Sequence, residues 1–204
     1  MAPIRHRPLI DRLYRHRARW SARRLLPWIR PGDRVLDIGA GDCRVAELLA
    51  RRGGCEVVPV DVEDYNTTPM ALTLFDGREL PFDDDSFDAV LLLFVLHHAE
   101  DVEAVLREAC RVCRRSVIVF EDLNLNWLDR LVFRGFHRLL YWSEKIPRPH
   151  REWTPDQWQG LARRTGLSAR AAEPLGRQLG PLASRHIAFV WEKSACGSLA
   201  EAVA

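Results

Sequence analysis

Residues 35–42 read Val35-Leu36-Asp37-Ile38-Gly39-Ala40-Gly41-Asp42. An apolar run of strand length leads into a turn of small residues, and a helical pattern follows. Small residues at such a turn let a ligand approach the backbone closely. Asp37 sits just ahead of the turn, where a carboxylate can face a cation such as an amino group. Asp61 ends the next apolar run, about 20 residues on, where a carboxylate suits the two hydroxyls of a ribose. Both acids fall at the carboxyl ends of strands, the edge at which open α/β sheets bind ligands. The plainer alternative is that both acids cap their turns.

Outward from this stretch, strands alternate with helices. Strands are predicted over 34–38, 56–60, 72–75, 87–95 and 116–120, and helices over 42–52 and 101–113. Residues 87–95 are almost continuously apolar, as expected when helices cover both faces of a parallel sheet. Thr154-Pro155-Asp156 starts a late helix, with Thr154 as cap and Pro155 in the first turn. Residues 167–173 and 186–192 make two final strands, antiparallel at one edge. The pattern predicts one α/β domain over 1–204, Rossmann-like and doubly wound, with a mostly parallel seven-stranded sheet. To it belong a basic helical segment (1–32), a helical insertion or lid after strand 5 (122–150) and a frayed tail (194–204).

Composition narrows the classes. Hydrophobic residues make up 47% of the 204 and the net charge is only +2, which excludes disorder as the main state. No apolar run approaches the ~18 residues of a transmembrane helix, and the Arg-studded start lacks a signal core. Five Cys without framework spacing suit a reducing compartment, so a cytoplasmic protein is expected. Cys110 and Cys113 lack a second ligand pair and are read as packing residues. Residues 1–34 carry ten Arg against Asp11 and Asp33, a balance of +8 that leaves −6 for the remainder. This arm is either a solvated helix on an acidic body or a surface for an anionic membrane or nucleic acid. Its interleaved Leu, Tyr and Trp give it an apolar face for packing on the core.

Two cofactor classes compete for the glycine turn. A dinucleotide site needs G-x-G-x-x-G, but Arg44 occupies the third position, where helix and strand must pack closely. An acid two positions before the first glycine also repels a pyrophosphate. It suits a cationic, phosphate-free ligand such as S-adenosylmethionine, which carries an ammonium, a sulfonium and a ribose.

At these residues the sequence resembles the class I S-adenosylmethionine-dependent methyltransferases of the small-molecule, methyltransferase-11-like type. The likeness is close over 33–121 and looser over 150–192. Asp37, Gly39 and Gly41 match the first family motif, with Cys43 where a third glycine is frequent. Asp61 matches the ribose acid. Asp76-Gly77 followed by Leu80-Pro81-Phe82 matches a stretch whose Asp receives the adenine amino group. Ser86-Phe87-Asp88 and Leu96-His97-His98 match the fourth-strand segment, and 150–158 the approach to the late helix. The resemblance implies a cofactor site of Asp37, Gly39, Ala40, Gly41, Asp61, Val62, Asp76, Gly77 and Phe94.

Methyl transfer is an in-line displacement at an activated carbon, so alignment and exclusion of water carry most of it. A base is needed where the acceptor loses a proton, as a hydroxyl does. His97 and His98 follow the fourth strand and are the catalytic candidates, the bland reading being capping or packing. Trp142, Arg148 and His150 are the substrate candidates. Metal-dependent quinone O-methyltransferases carry acids where this chain has Phe94 and His97, so no metal is expected. The absence of an N/D-P-P-Y/F tetrad counts against methylation of nucleic-acid bases. The expectation is S-adenosylmethionine-dependent methylation of a small molecule, foremost at oxygen. The competing readings are a lipid or quinone methyltransferase at the membrane surface and a non-catalytic, cofactor-binding partner subunit. RNA methylation ranks below both.

Overall fold

The computed structural model describes residues 8–123, 131, 134–135, 138, 153–177 and 185–194. The elements in chain order are α1 (Pro8–Leu25), β1 (Arg34–Ile38), α2 (Arg44–Gly53), β2 (Glu56–Asp61), β3 (Thr73–Leu74) and β4 (Phe87–Leu93). Then come α3 (Val102–Val112), β5 (Cys113–Leu123), α4 (Pro155–Arg164), β6 (Leu167–Arg177) and β7 (Arg185–Lys193). Short 3-10 turns occupy Leu26–Trp28 and Leu96–His98. The strands form one seven-stranded sheet in the order β3-β2-β1-β4-β5-β7-β6. β1 to β5 are parallel to their neighbours, whereas β7 runs antiparallel between β5 and β6.

Alternation along β5 divides the core. Val117 and Val119 pack with Leu106, Ala109, Trp158 and Leu161 of α3 and α4. Ile118 and Phe120 pack with Trp20 and Leu25 of α1 and with Ala46 and Leu49 of α2. The sheet is therefore doubly wound, which is why β4 needs apolar residues on both faces. Cys110 and Cys113 lie in the first of these clusters. Among the described residues no helix is long and apolar enough to cross a membrane.

Element ends shift by a few residues from the sequence reading, each with a local cause. α2 begins at Arg44, because Cys43 takes a left-handed backbone (φ 59°) as its cap. α3 begins after Asp101, whose carboxylate accepts from the Ala104 N–H at 3.0 Å. α4 carries a capping box, with Thr154 accepting from the Gln157 N–H and Gln157 from the Thr154 N–H. β5 starts at Cys113 and runs to Leu123, held by the β7 ladder to Arg185. It takes the first residues of the expected insertion into the sheet. In that insertion residues 131, 134–135 and 138 are helical.

The link before β1 is fastened across the sheet. Arg115 on β5 reaches Asp33 with two guanidinium nitrogens, at 3.0 and 2.5 Å. Asp33 also accepts from the Arg30 N–H at 2.7 Å. Burial works against the charge, but Arg115 and the backbone donor win and hold this carboxyl below its ordinary pKa. Its stabilisation is thus present above about pH 4 and is lost as pH falls through the lowered value. Asp33→Ala strands the Arg115 cation, and urea unfolding at neutral pH is expected to show a loss of about 3 kcal/mol.

Candidate active site

The Gly39–Asp42 turn is fixed by hydrogen bonds and by space. The Gly39 and Ala40 N–H groups donate to the Val60 carbonyl at the end of β2, at 2.9 and 3.1 Å. Gly39 has φ +71°, and a Cβ there would lie 2.4 Å from Val95 Cγ2. No side chain fits, so β1 and the residue after Phe94 meet backbone to side chain. Gly41 (φ +56°) is the opposite case, since a Cβ there would meet nothing within 4 Å. That open side is the space a ligand needs to reach the turn.

Asp61 ties the second strand to this turn. Its carboxylate accepts from the Gly41 N–H at 2.8 Å and from the Val62 N–H at 2.7 Å. Burial raises its pKa despite those donors. Asp37 is only 2% exposed. Burial, then the charges of Asp61 and Asp42, push it up to about 7. Asp42 itself faces Arg44 at 3.4 Å, whereas no described residue forms an ion pair with Asp37. This buried acidic corner suits a ligand bearing an ammonium and hydroxyls, and it repels a pyrophosphate.

Asp76 stands on the exposed loop after β3. Its carboxylate accepts from the Arg78 and Glu79 N–H groups at 2.8 and 3.1 Å, which holds its pKa low. Gly77 (φ +78°) brings this loop against Val62, since a Cβ there would sit 3.1 Å from Val62 Cγ1. Val62 is a large apolar residue left 55% exposed, a surface on which a flat ring can lie. The structure thus gathers Asp37, Gly39, Ala40, Gly41, Asp61, Val62, Asp76, Gly77 and Phe94 at the carboxyl edge of β1 to β4.

Phe94 has a left-handed backbone (φ +59°) and is buried. Its N–H donates to the Phe120 carbonyl at 2.8 Å. Beyond it, His97 is buried with its Nδ1 2.5 Å from the Glu121 carboxylate. The other Glu121 oxygen accepts from the Leu96 N–H at 3.0 Å. Burial lowers the pKa of His97, but the Glu121 charge and hydrogen bond outweigh it and the net shift is upward. The His98 ring lies 4.2 Å from the His97 ring, tilted by 49°. Trp142, Arg148 and His150 lie outside the described residues.

Sequence reasoning missed Glu121, Asp122, His186 and Arg17. His186 on β7 faces Asp122 at 3.1 Å and packs edge-on against Phe94 and Trp20. Arg17 of α1 places its guanidinium carbon 4.2 Å from the Phe94 ring centroid. Glu121 carried a signal, as an acid at a strand end, but its partner is 24 positions away. The Cys43 thiol is pushed up to about 12 by burial and the neighbouring acids, so it remains protonated and unreactive. Among the described residues no group of His, Cys, Asp and Glu has the arrangement of a metal site.

Asp37 makes the ligand-free protein pH-sensitive. A carboxyl whose folded pKa is about 7 and whose unfolded pKa is about 4 folds more readily protonated. Its contribution is greatest below about pH 4 and falls away as pH rises to 7. Urea unfolding of wild type and Asp37→Asn across that range is expected to show the variant losing less stability towards neutrality.

Residues 36–120 match the family model of a methyltransferase domain. A demethylmenaquinone methyltransferase of Streptomyces avermitilis is 35% identical over 107 residues, covering 48% of this chain and 46% of that protein. A ubiquinone/menaquinone biosynthesis C-methyltransferase of Xanthomonas oryzae is 35% identical over 118 residues, covering 48% and 47%. The chain thus spans about half the length of these relatives. A solved complex of the Haloferax volcanii Trm112 methyltransferase activator with a methyltransferase contains a similar chain. The TM-score is 0.70 at 18% identity, covering 92% of this chain and 95% of that one. A methyltransferase structure from Thermotoga maritima gives 0.67 at 18% identity, covering 89% and 92%. The solved structures share the fold, and residues 36–120 match the methyltransferase-domain model, which together support a class I S-adenosylmethionine-dependent methyltransferase.

Proposed function

We propose that the protein methylates a small aromatic or apolar acceptor at a hydroxyl oxygen, with S-adenosylmethionine as donor. The observation that carries this reading is the buried His97–Glu121 pair beside the glycine turn. When bound, the cofactor supplies a methyl group on a positively charged sulfur. Asp37 would hold the ammonium, Asp61 the ribose hydroxyls, and Val62, Asp76 and Gly77 would border the adenine. With Nδ1 held by Glu121, His97 takes the acceptor's hydroxyl proton at Nε2. The oxygen so released would then be aligned with the methyl carbon, with α1 covering the site. Trp142, Arg148 and His150 would then border the acceptor.

A second reading is supported by the relatives, both named for quinone methylation. Loss of a proton from a ring hydroxyl also makes the adjacent ring carbon nucleophilic. The same base therefore serves carbon methylation of a quinol. Incubation with labelled S-adenosylmethionine, hydroxylated aromatics and a demethylated quinol separates the two readings. Carbon-13 NMR of the product shows an O-methyl or a ring C-methyl signal.

His97→Asn is expected to lower kcat by about a hundredfold or more. A base works when neutral, so kcat rises with pH through the His97 pKa, which Glu121 holds above the ordinary value. Glu121→Gln removes that support and is expected to move the limb to lower pH with a reduced plateau. An unmoved limb in both variants would exclude His97 as the base.

A further inference from the structure

Arg17 belongs to the Arg-rich arm but not to its solvated face. The exposed arginines of α1 include Arg12, Arg15, Arg19 and Arg23. Arg17 instead shares the inner stripe with Trp20, Ser21 and Leu25, which are buried. Its guanidinium lies over the buried Phe94 ring and close enough to His97 to oppose a proton there. The neighbouring cations are otherwise engaged. Arg44 reaches Asp11 at 2.5 Å and also faces Asp42. Arg24 stacks on Trp20 and donates to the Leu175 carbonyl. His97 is held by Glu121. Among the described residues no carboxylate pairs with Arg17.

A half-buried guanidinium is costly without an anion, and a ring face offsets only part of the cost, about 1 kcal/mol. We propose that Arg17 is a carboxylate receptor at the reaction site, its counter-charge brought by a bound small molecule. The inference rests on the cofactor reading above. The cofactor's own amino-acid end is the favoured source. Its ammonium and carboxylate share one carbon, so an ammonium at Asp37 carries a carboxylate along the β1–β4 edge, where Arg17 covers Phe94. The planar guanidinium suits such an oxygen pair through two parallel N–H donors. An acid group on the acceptor is the other source.

Calorimetry with S-adenosylhomocysteine and its decarboxylated analogue, on wild type, Arg17→Met and Arg17→Lys, tests this. Arg17→Met keeps the alkyl stem and removes the charge. It is expected to weaken S-adenosylhomocysteine by about ten- to a hundredfold and the decarboxylated analogue by less than about twofold. Arg17→Lys, which restores a cation, is expected to recover part of the loss. If S-adenosylhomocysteine binding is unchanged, the acceptor source requires that benzoate bind the S-adenosylhomocysteine-saturated wild type and not Arg17→Met. Equal weakening of both nucleosides would leave Arg17 a packing residue and overturn the proposal. So would an unchanged nucleoside affinity together with no Arg17-dependent benzoate binding. A folded wild type that binds neither nucleoside removes the cofactor reading itself, and this inference with it.

Discussion

Two carboxylates buried within electrostatic reach of each other, at the carboxyl edge of a parallel sheet, set the terms for the rest of the molecule. Asp37 is almost without solvent, and Asp61 feels both burial and its neighbours. In the ligand-free chain this arrangement is unfavourable, and it persists because the fold over-determines it. β1 is held between β2 and β4 in parallel register. The turn after β1 is pinned to the Val60 carbonyl, and Gly39 is locked against Val95. A ligand cation reverses the sign of the corner, turning mutual repulsion into attraction. The same burial and mutual repulsion would disfavour a phosphate there and favour a positively charged ligand.

Two strands beyond β1, the same sheet uses acids differently. Glu121 and Asp122 are neighbours on β5, so their side chains leave on opposite faces. Glu121 takes His97 and the Leu96 N–H. Asp122 takes His186 across the antiparallel β7 ladder, on the face covered by α1. The pairing of β7 beside β5 makes both possible, since it extends the end of β5 beyond the parallel core. The acidic corner and the histidine pairs are joined by the Phe94–Val95 step, whose Val95 side chain closes over Gly39.

Most of the frame was legible in the sequence because its signals are local. The apolar runs, the glycine turn and the Thr154 cap each lie within a few residues of what they control, and Asp61 ends a strand that is itself read locally. So does the likeness that points to the cofactor. The unread parts are those that only the sheet order brings together. His97 and Glu121 lie 24 positions apart, and Trp20 and His186 meet across almost the whole described chain. Left-handed Phe94 and Cys43 carry no glycine to announce them. Trp142, Arg148 and His150 were read from type and position alone, and the described fold adds nothing to them.

The Arg-rich arm shows how far composition misleads. Counted as charge, residues 1–34 are a uniform basic run, and a solvated face explains such runs in general. Helical geometry divides the run. Arg12, Arg15, Arg19 and Arg23 are exposed, while Trp20, Ser21 and Leu25 enter the core with Arg17 among them. The arm's single acid within α1, Asp11, meets Arg44 at the start of α2. That bond docks the helix beside the glycine turn and compensates Arg44, but it leaves Arg17 unmatched. The same helix that closes the apolar face therefore carries a cation over Phe94, opposite in sign to the acids of β1 and β2. A ligand that is cationic and anionic at one carbon meets both.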